Sequence, residues 1–157
     1  DQARFIVRSF LIFARMGVER SYVFWFDDKD AYTLFGCSGV TRNGVPKPAF
    51  WAMKHLRETL GDYRFLNVLA EDQGKVYAYL FSHGQDPRQA VLALWSPTLG
   101  DQASEVSIPL PGYRITAGCR SPFGPEPVPA APASVEGGVL KTRCGGAPTF
   151  LFLEKTP

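Results

Sequence analysis

The run Ser21-Tyr22-Val23-Phe24-Trp25-Phe26 places aromatic or β-branched side chains at every position from Tyr22 to Phe26, with no polar alternation. A strand with one face in water alternates apolar and polar residues, whereas one covered on both faces, as in a parallel sheet, reads as a continuous apolar run. The segment is therefore expected to be a short strand buried on both sides. It stops at Asp27-Asp28-Lys29-Asp30, and a loop containing Gly36, Gly39 and Gly44 follows.

Helical patterns flank this segment. Before it, Arg4, Arg8 and Arg15 fall within one narrow arc at 100° per residue, while Phe5, Ile6, Phe10, Ile12, Phe13 and Met16 occupy most of the rest. Such a helix is expected to be covered on most of its circumference, with Gly17 as a left-handed residue just past its end. After it, Pro48 suits the first turn of a second helix, which ends at Gly61. Ala49, Met53, Leu56 and Leu60 share one face of that helix. Trp51 and His55 lie on the other side among Lys54 and Glu58, and are expected to pack against whatever follows.

From Tyr63 onward the period changes. Strand-like runs recur near 63–70, 75–82, 89–96, 104–110, 113–119, 135–142 and 148–154. Runs 75–82 and 89–96 are apolar on both faces, as central strands are. Val106, Ile108 and Leu110 alternate with polar or exposed types. Seven short strands predict an antiparallel β-sandwich. Residues 120–134 hold five prolines and are expected to form an extended surface connection. The chain thus divides into a helix-strand-helix segment, 1–62, and a β-sandwich, 63–157.

Composition excludes several classes. The 157 residues carry a formal charge of only +2, and the basic residues are scattered, so no nucleic-acid or polybasic membrane footprint is present. No apolar run reaches the roughly 18 residues of a membrane span. Cys37, Cys119 and Cys144 lack metal-ligand spacing, and neither a metal nor a cofactor is expected. A Cys119–Cys144 disulfide and free thiols both remain open at this point. The sequence starts at Asp1, inside a helical pattern, which suggests part of a longer polypeptide.

The stretches QARFIVRSFLIFARMGVERSYVFWFDD (2–28), FGCSGVTRNGVPKPAFWAMKHL (35–56) and GDY (61–63) resemble the end of the catalytic domain of clan A glycoside hydrolases, family 39 in particular. The resemblance includes a Gly-x-Pro-Lys-Pro-Ala signature at Gly44–Ala49. It implies an α+β chain: the terminal helix-strand-helix of a (β/α)8 barrel, followed by an antiparallel β-sandwich. Enzymes of this kind are retaining glycosidases, with two glutamates about 5–5.5 Å apart as acid/base and nucleophile. Both glutamates would lie upstream of Asp1, so no catalytic residue is expected in this chain. The implied partners are an oligosaccharide or polysaccharide, and either the N-terminal remainder of the barrel or a homo-oligomer partner. A secreted or periplasmic location is implied by the same resemblance.

Three residues are singled out as substrate-binding candidates. Trp25 would floor the sugar cleft, against the alternative of core packing, with Phe24 and Phe26 pointing the other way into the core. Asp27 and Asp28 would sit at the C-terminal face of the barrel, where such enzymes hold their chemistry, against the alternative of a solvated turn that includes Asp30. His83, within Ser82-His83-Gly84-Gln85-Asp86, reads as a hairpin turn rather than a hydrolytic triad. Tyr77, Tyr79, Trp95 and Tyr113 are weighed as a sugar platform on the sandwich against the ordinary outcome, core aromatics. Two rival functions stay open: a non-catalytic carbohydrate-binding or structural module, and a small enzyme built on Asp27, Asp28 and Asp30 with Glu19, Glu58 or Glu71.

Overall fold

The computed structural model describes residues 1–29, 33, 36–98 and 102–156. Helix α1 (Gln2–Arg15) ends as expected, with Gly17 at φ +74° just beyond it. Three two-residue strands follow: β1 (Asp27–Asp28), β2 (Thr41–Arg42) and β3 (Val45–Pro46). β1 pairs with β2 in parallel, and β2 turns into β3 through Asn43 (φ 51°) and Gly44 (φ 75°). Two successive positive φ angles make a type I′ turn, for which Asn-Gly is the preferred pair. Helix α2 (Pro48–Leu60) starts at its proline. Among the described residues, no helix is long and apolar enough to cross a membrane.

The remaining strands are β4 (Tyr63–Asp72), β5 (Val76–His83), β6 (Gln89–Trp95), β7 (Ser104–Pro109), β8 (Tyr113–Arg120), β9 (Val128–Pro129), β10 (Ser134–Glu136), β11 (Val139–Cys144) and β12 (Thr149–Lys155). They form a six-stranded sheet in the order β4-β5-β6-β12-β8-β9 and a three-stranded sheet in the order β10-β11-β7, with all pairs antiparallel. The expected sandwich is present. The run read as one strand over 135–142 is instead a hairpin, because Gly137 (φ 57°) and Gly138 (φ 75°) supply another two-residue turn. The proline-rich connection contributes only β9, two residues against Cys119–Arg120.

Period-2 alternation divides the six-stranded sheet between two cores. Ala78, Leu80, Leu92, Leu94, Leu151 and Leu153 meet Ile108, Leu140 and Cys144 of the smaller sheet and Leu110 just beyond β7. The alternate residues Tyr79, Phe81, Val91, Ala93, Trp95 and Phe150 meet Ala3, Val7 and Leu11 of α1 and Ala49 and Ala52 of α2. The architecture is thus three layers, helices on sheet on sheet, which explains why β5 and β6 are apolar on both faces.

Two expectations fail here, the buried strand and the covered first helix. Ser21–Phe26 forms no ladder: only Asp27 and Asp28 pair, and the preceding residues run extended, with bends at Phe24 and Phe26. Nor are both faces buried. Tyr22 (81% exposed), Phe24 (81%) and Phe26 (66%) face out, whereas Val23 and Trp25 are half-buried. An apolar run becomes a strand only where neighbours take up its N–H and C=O groups. Likewise α1 leaves Phe5, Phe13 and Met16 exposed rather than covered.

Of the two alternatives left open for the cysteines, the structure has free thiols: Cys37, Cys119 and Cys144 are all unbonded. Cys119 packs against the helix-side core and Cys144 belongs to the inter-sheet core, so the sheet itself separates them. The four sandwich aromatics follow the ordinary alternative, core packing, rather than a sugar platform. Tyr79 and Trp95 are fully buried, Tyr77 stacks on Trp95 at 5.1 Å, and Tyr113 packs against the inter-sheet core.

The arginine arc of α1 docks on the sandwich instead of facing solvent. The Arg4 guanidinium lies 5.4 Å over the Phe123 ring, Arg8 is buried, and Arg15 pairs with Glu71 of β4 at 2.5 Å. His55 packs against Phe150 with ring centroids 5.7 Å apart, which meets the expectation for that face of α2. Its Nδ1 is enclosed without a hydrogen-bond partner among the described residues, and burial holds its pKa below the ordinary 6.5. A histidine kept neutral by folding favours the folded state fully above the unfolded pKa, and that contribution falls away as pH drops below it. The wild-type Tm is expected to decline from about pH 7 to pH 5 more steeply than that of His55→Phe, measured by thermal denaturation across that window. Parallel curves for the two proteins would refute the assignment.

Candidate functional site

The candidate site is built where the extended aromatic segment meets β2, β3 and the start of α2. Asp28 is its hub. The Asp28 carboxylate is wholly enclosed; Oδ1 accepts the Gly39 N–H at 2.6 Å, and Oδ2 accepts Lys47 Nζ at 2.9 Å and Arg42 Nη2 at 3.3 Å. Lys47 Nζ also donates to Gly39 O and Cys37 O. Because Lys47 immediately precedes α2, this ion pair ties the end of the segment to the helix start. The hydrogen bond from Lys47 is the main cause that holds the Asp28 carboxyl below the ordinary carboxylate range. The close fit also requires glycine at 39, since a Cβ there would stand 2.8 Å from Asp28 N and Oδ1.

Asp27 is exposed. Its Oδ1 accepts the Gly44 N–H at 3.1 Å and lies 2.5 Å from Thr41 Oγ1. That hydroxyl is also 3.0 Å from Phe26 O, and its single proton serves one of the two at a time. The N–H groups of Val40 and Thr41 both donate to Phe26 O at 2.9 Å. The backbone at Phe26–Asp27 is therefore pinned from one side by β2, while Asp27 Oδ2 makes no hydrogen bond among the described residues.

Trp25 sits with Val23 along a cleft of about 1040 Å³ between α1, α2 and β4, also lined by Leu11, Phe50, Leu60 and Phe65. Lys29 Nζ lies 5.5 Å over its ring and Phe24 meets it edge-on at 5.2 Å. Its Nε1 is enclosed with no hydrogen-bond partner among the described residues. Thus the structure brings Asp27, Asp28 and Trp25 to one end of the segment, but in three different environments. Asp30 lies outside the described residues. The rival acid-base cluster gains nothing from Glu58, paired with Lys54 at 2.5 Å, or from Glu71, held by Arg15 and the Tyr79 hydroxyl. His83 is a turn residue as expected: its Nδ1 accepts the N–H groups of Gln85 and Asp86.

Sequence reasoning overlooked Thr41, Lys47 and Gly39 as the residues that hold this corner. The available signal was Asn43-Gly44, a hairpin pair that fixes where β2 and β3 must lie. A second concavity, about 510 Å³, lies on the sandwich between Tyr63, Gln89, Thr116, Phe152 and Glu154. It had no signature in the sequence.

Neither a protein-family model nor a curated protein sequence matches the chain. Solved structures do. A family 39 glycoside hydrolase from Bacteroides cellulosilyticus WH2 superposes with a TM-score of 0.65 at 20% identity, over 98% of this chain and 30% of that one. A family 30 endoxylanase from Clostridium papyrosolvens C71 gives 0.53 at 12% identity, over 76% of this chain and 31% of its own. A family 30 subfamily 8 xylanase from Clostridium acetobutylicum gives 0.56 at 11%, over 74% and 31%. The chain thus spans about a third of the length of the structures it matches, and it carries the fold of that third of a family 39 or family 30 glycoside hydrolase.

Proposed function

We propose that the chain is the C-terminal portion of a retaining glycoside hydrolase acting on β-linked glycans. In this reading it supplies the last barrel strand and the sandwich, while the two catalytic glutamates lie on polypeptide upstream. The observation that carries it is the segment Tyr22–Phe26: extended, aromatic, outside any ladder, and set between two helices docked on a sandwich, in a fold shared with 30% of the length of a family 39 glycoside hydrolase. Three exposed aromatic rings on an extended segment outside any sheet call for covering neighbours. Those neighbours would come from the rest of the barrel, whose helices would also cover Phe5, Phe13 and Met16.

Within that assembly the corner at Asp27 and Asp28 faces the substrate. Asp27 offers a free carboxylate oxygen to a sugar hydroxyl. Asp28 spends both oxygens on Gly39, Lys47 and Arg42, so it positions the corner. The aromatic residues up to and including Trp25 and Phe26 supply the apolar floor. The reaction itself needs two convergent carboxylates with different proton affinities, which this chain does not offer.

The test is co-expression with the polypeptide encoded immediately upstream. The purified chain alone is expected to leave a chromogenic β-glycoside uncleaved, and the assembly to cleave it with retention of configuration. Turnover by the chain alone, or an assembly with none, would defeat the proposal.

A second reading, a glycan-binding sandwich without catalysis, draws on the concavity beside Tyr63 and Phe152. It cannot be tested on residues 63–157 in isolation. Removing the helices would expose Tyr79, Phe81, Val91, Trp95 and Phe150. Affinity of the whole chain for an immobilised glycan, abolished by Phe152→Ala, is the result that would favour it.

A further inference from the structure

We propose that Asn43 is a site of spontaneous covalent modification: deamidation through a succinimide, restrained by Asp27, which engages the one N–H whose nitrogen must act as nucleophile. The inference concerns the β2–β3 hairpin itself and holds whether or not the chain completes a glycosidase.

The chain has two asparagines, Asn43 and Asn67. In this reaction the backbone nitrogen of the following residue loses its proton and attacks the side-chain Cγ. A new C–N bond forms, the Cγ–Nδ2 bond breaks, and the amide nitrogen leaves as ammonia with the proton returned to it. Solvent water then opens the five-membered ring at either carbonyl, giving aspartate or isoaspartate.

What ring closure needs is present at Asn43. Its side chain is exposed and makes no hydrogen bond among the described residues. The next residue is glycine, and no atom lies within 4 Å of where a Cβ would stand on it, so its nitrogen is open to solvent base. β2 and β3 are two residues each, and so short a hairpin opens at low cost. Asn67 is the opposite case. It lies within the ten-residue β4, its successor Val68 is β-branched, and the Val68 N–H donates to Asn67 Oδ1 at 2.8 Å.

The restraint on Asn43 comes from across the corner. The nucleophile is Gly44 N, and its N–H donates to Asp27 Oδ1 at 3.1 Å. A carboxylate beside that proton makes its loss harder. The same bond fixes the peptide plane of the turn, with Asn43 at φ 51° and Gly44 at φ 75°. Asp27 Oδ1 is in turn held by Thr41 Oγ1 at 2.5 Å. Isoaspartate would carry the main chain through Cβ, and the added carbon breaks the pairing of Arg42 with Val45 and of Thr41 with Pro46. Lys47 follows directly, so its grip on Asp28 weakens as the hairpin does.

The test is peptide mapping by mass spectrometry of the whole 157-residue chain during incubation in mildly alkaline buffer, with isoaspartate scored by a protein isoaspartyl methyltransferase. Conversion is expected at Asn43, and at least about tenfold more slowly at Asn67. Asp27→Ala should speed the Asn43 reaction about tenfold, and Asp27→Asn, which keeps the shape and an acceptor without the charge, about threefold. In concentrated urea, where the hairpin is gone, all three proteins should react at one rate. No conversion at Asn43 in the folded chain, Asp27 variants no faster than the wild type, or the same acceleration persisting in urea would overturn the inference.

Discussion

Replacing Arg8 with alanine is expected to cost about 3–5 kcal/mol of stability and to lower Tm by roughly 10 °C. Arg8 is only 7% exposed, and its guanidinium binds three backbone carbonyls of the sandwich. Nε donates to Gly146 O at 2.9 Å, Nη2 to Ser96 O and Thr98 O at 2.9 Å each, and Nη2 also contacts Gly146 O. These carbonyls belong to the segments after β6 and before β12, which Ser96 N–H to Gly145 O already joins at 2.8 Å. Truncation removes the guanidinium donors that the helix brings there and leaves the buried carbonyls of Gly146 and Ser96 unpaired, which costs their desolvation. Burial pushes the guanidinium pKa down, yet arginine stays charged at any ordinary pH. Lysine should recover only part of the loss, because a single ammonium cannot span three acceptors as the planar fork does. The pair Lys141–Glu136, open to solvent and screened by salt, contributes far less by comparison. Chemical denaturation measures the difference, and a change under about 1 kcal/mol for Arg8→Ala would remove Arg8 as the latch between helix and sandwich.

Much of the sandwich was legible because period-2 patterning is local. β5, β6, β8 and β12 were located to within two residues of their bounds, and the doubly apolar β5 and β6 proved central. What failed depended on neighbours. The run Tyr22–Phe26 has the composition of a covered strand, yet cover is a property of the surroundings, and among the described residues only Val23 and Trp25 find partial shelter. The arginine arc of α1 was the reverse case. Charge along one helix face ordinarily marks solvent, but here it marks the docking side, because backbone carbonyls at the sandwich rim need donors that aliphatic residues cannot supply. At the candidate site, the exposure of Asp27 and the burial of Asp28 could not be told from two identical adjacent residues. The difference comes from Lys47 and Gly39, more than ten residues away, brought there by the Asn43-Gly44 turn.

Trp95→Ala is the second large effect, expected to cost about 3–5 kcal/mol. Trp95 is 2% exposed at the end of β6, stacked on Tyr77 at 5.1 Å with planes 10° apart, and edge-on to Tyr79 at the same distance. It belongs to the face of the six-stranded sheet that receives both helices, so a cavity there undermines the floor on which α1 and α2 rest. Tyr79 would lose one wall while its hydroxyl stays tied to Glu71 at 2.9 Å, and that bond limits how far the ring can relax into the void. A site that cannot collapse bears most of the cavity cost. Trp95→Phe keeps most of the volume and should lower Tm less than Trp95→Ala does, read by thermal denaturation of the two variants beside the wild type. Equal Tm for Trp95→Ala and the wild type would remove Trp95 as the floor beneath the helices.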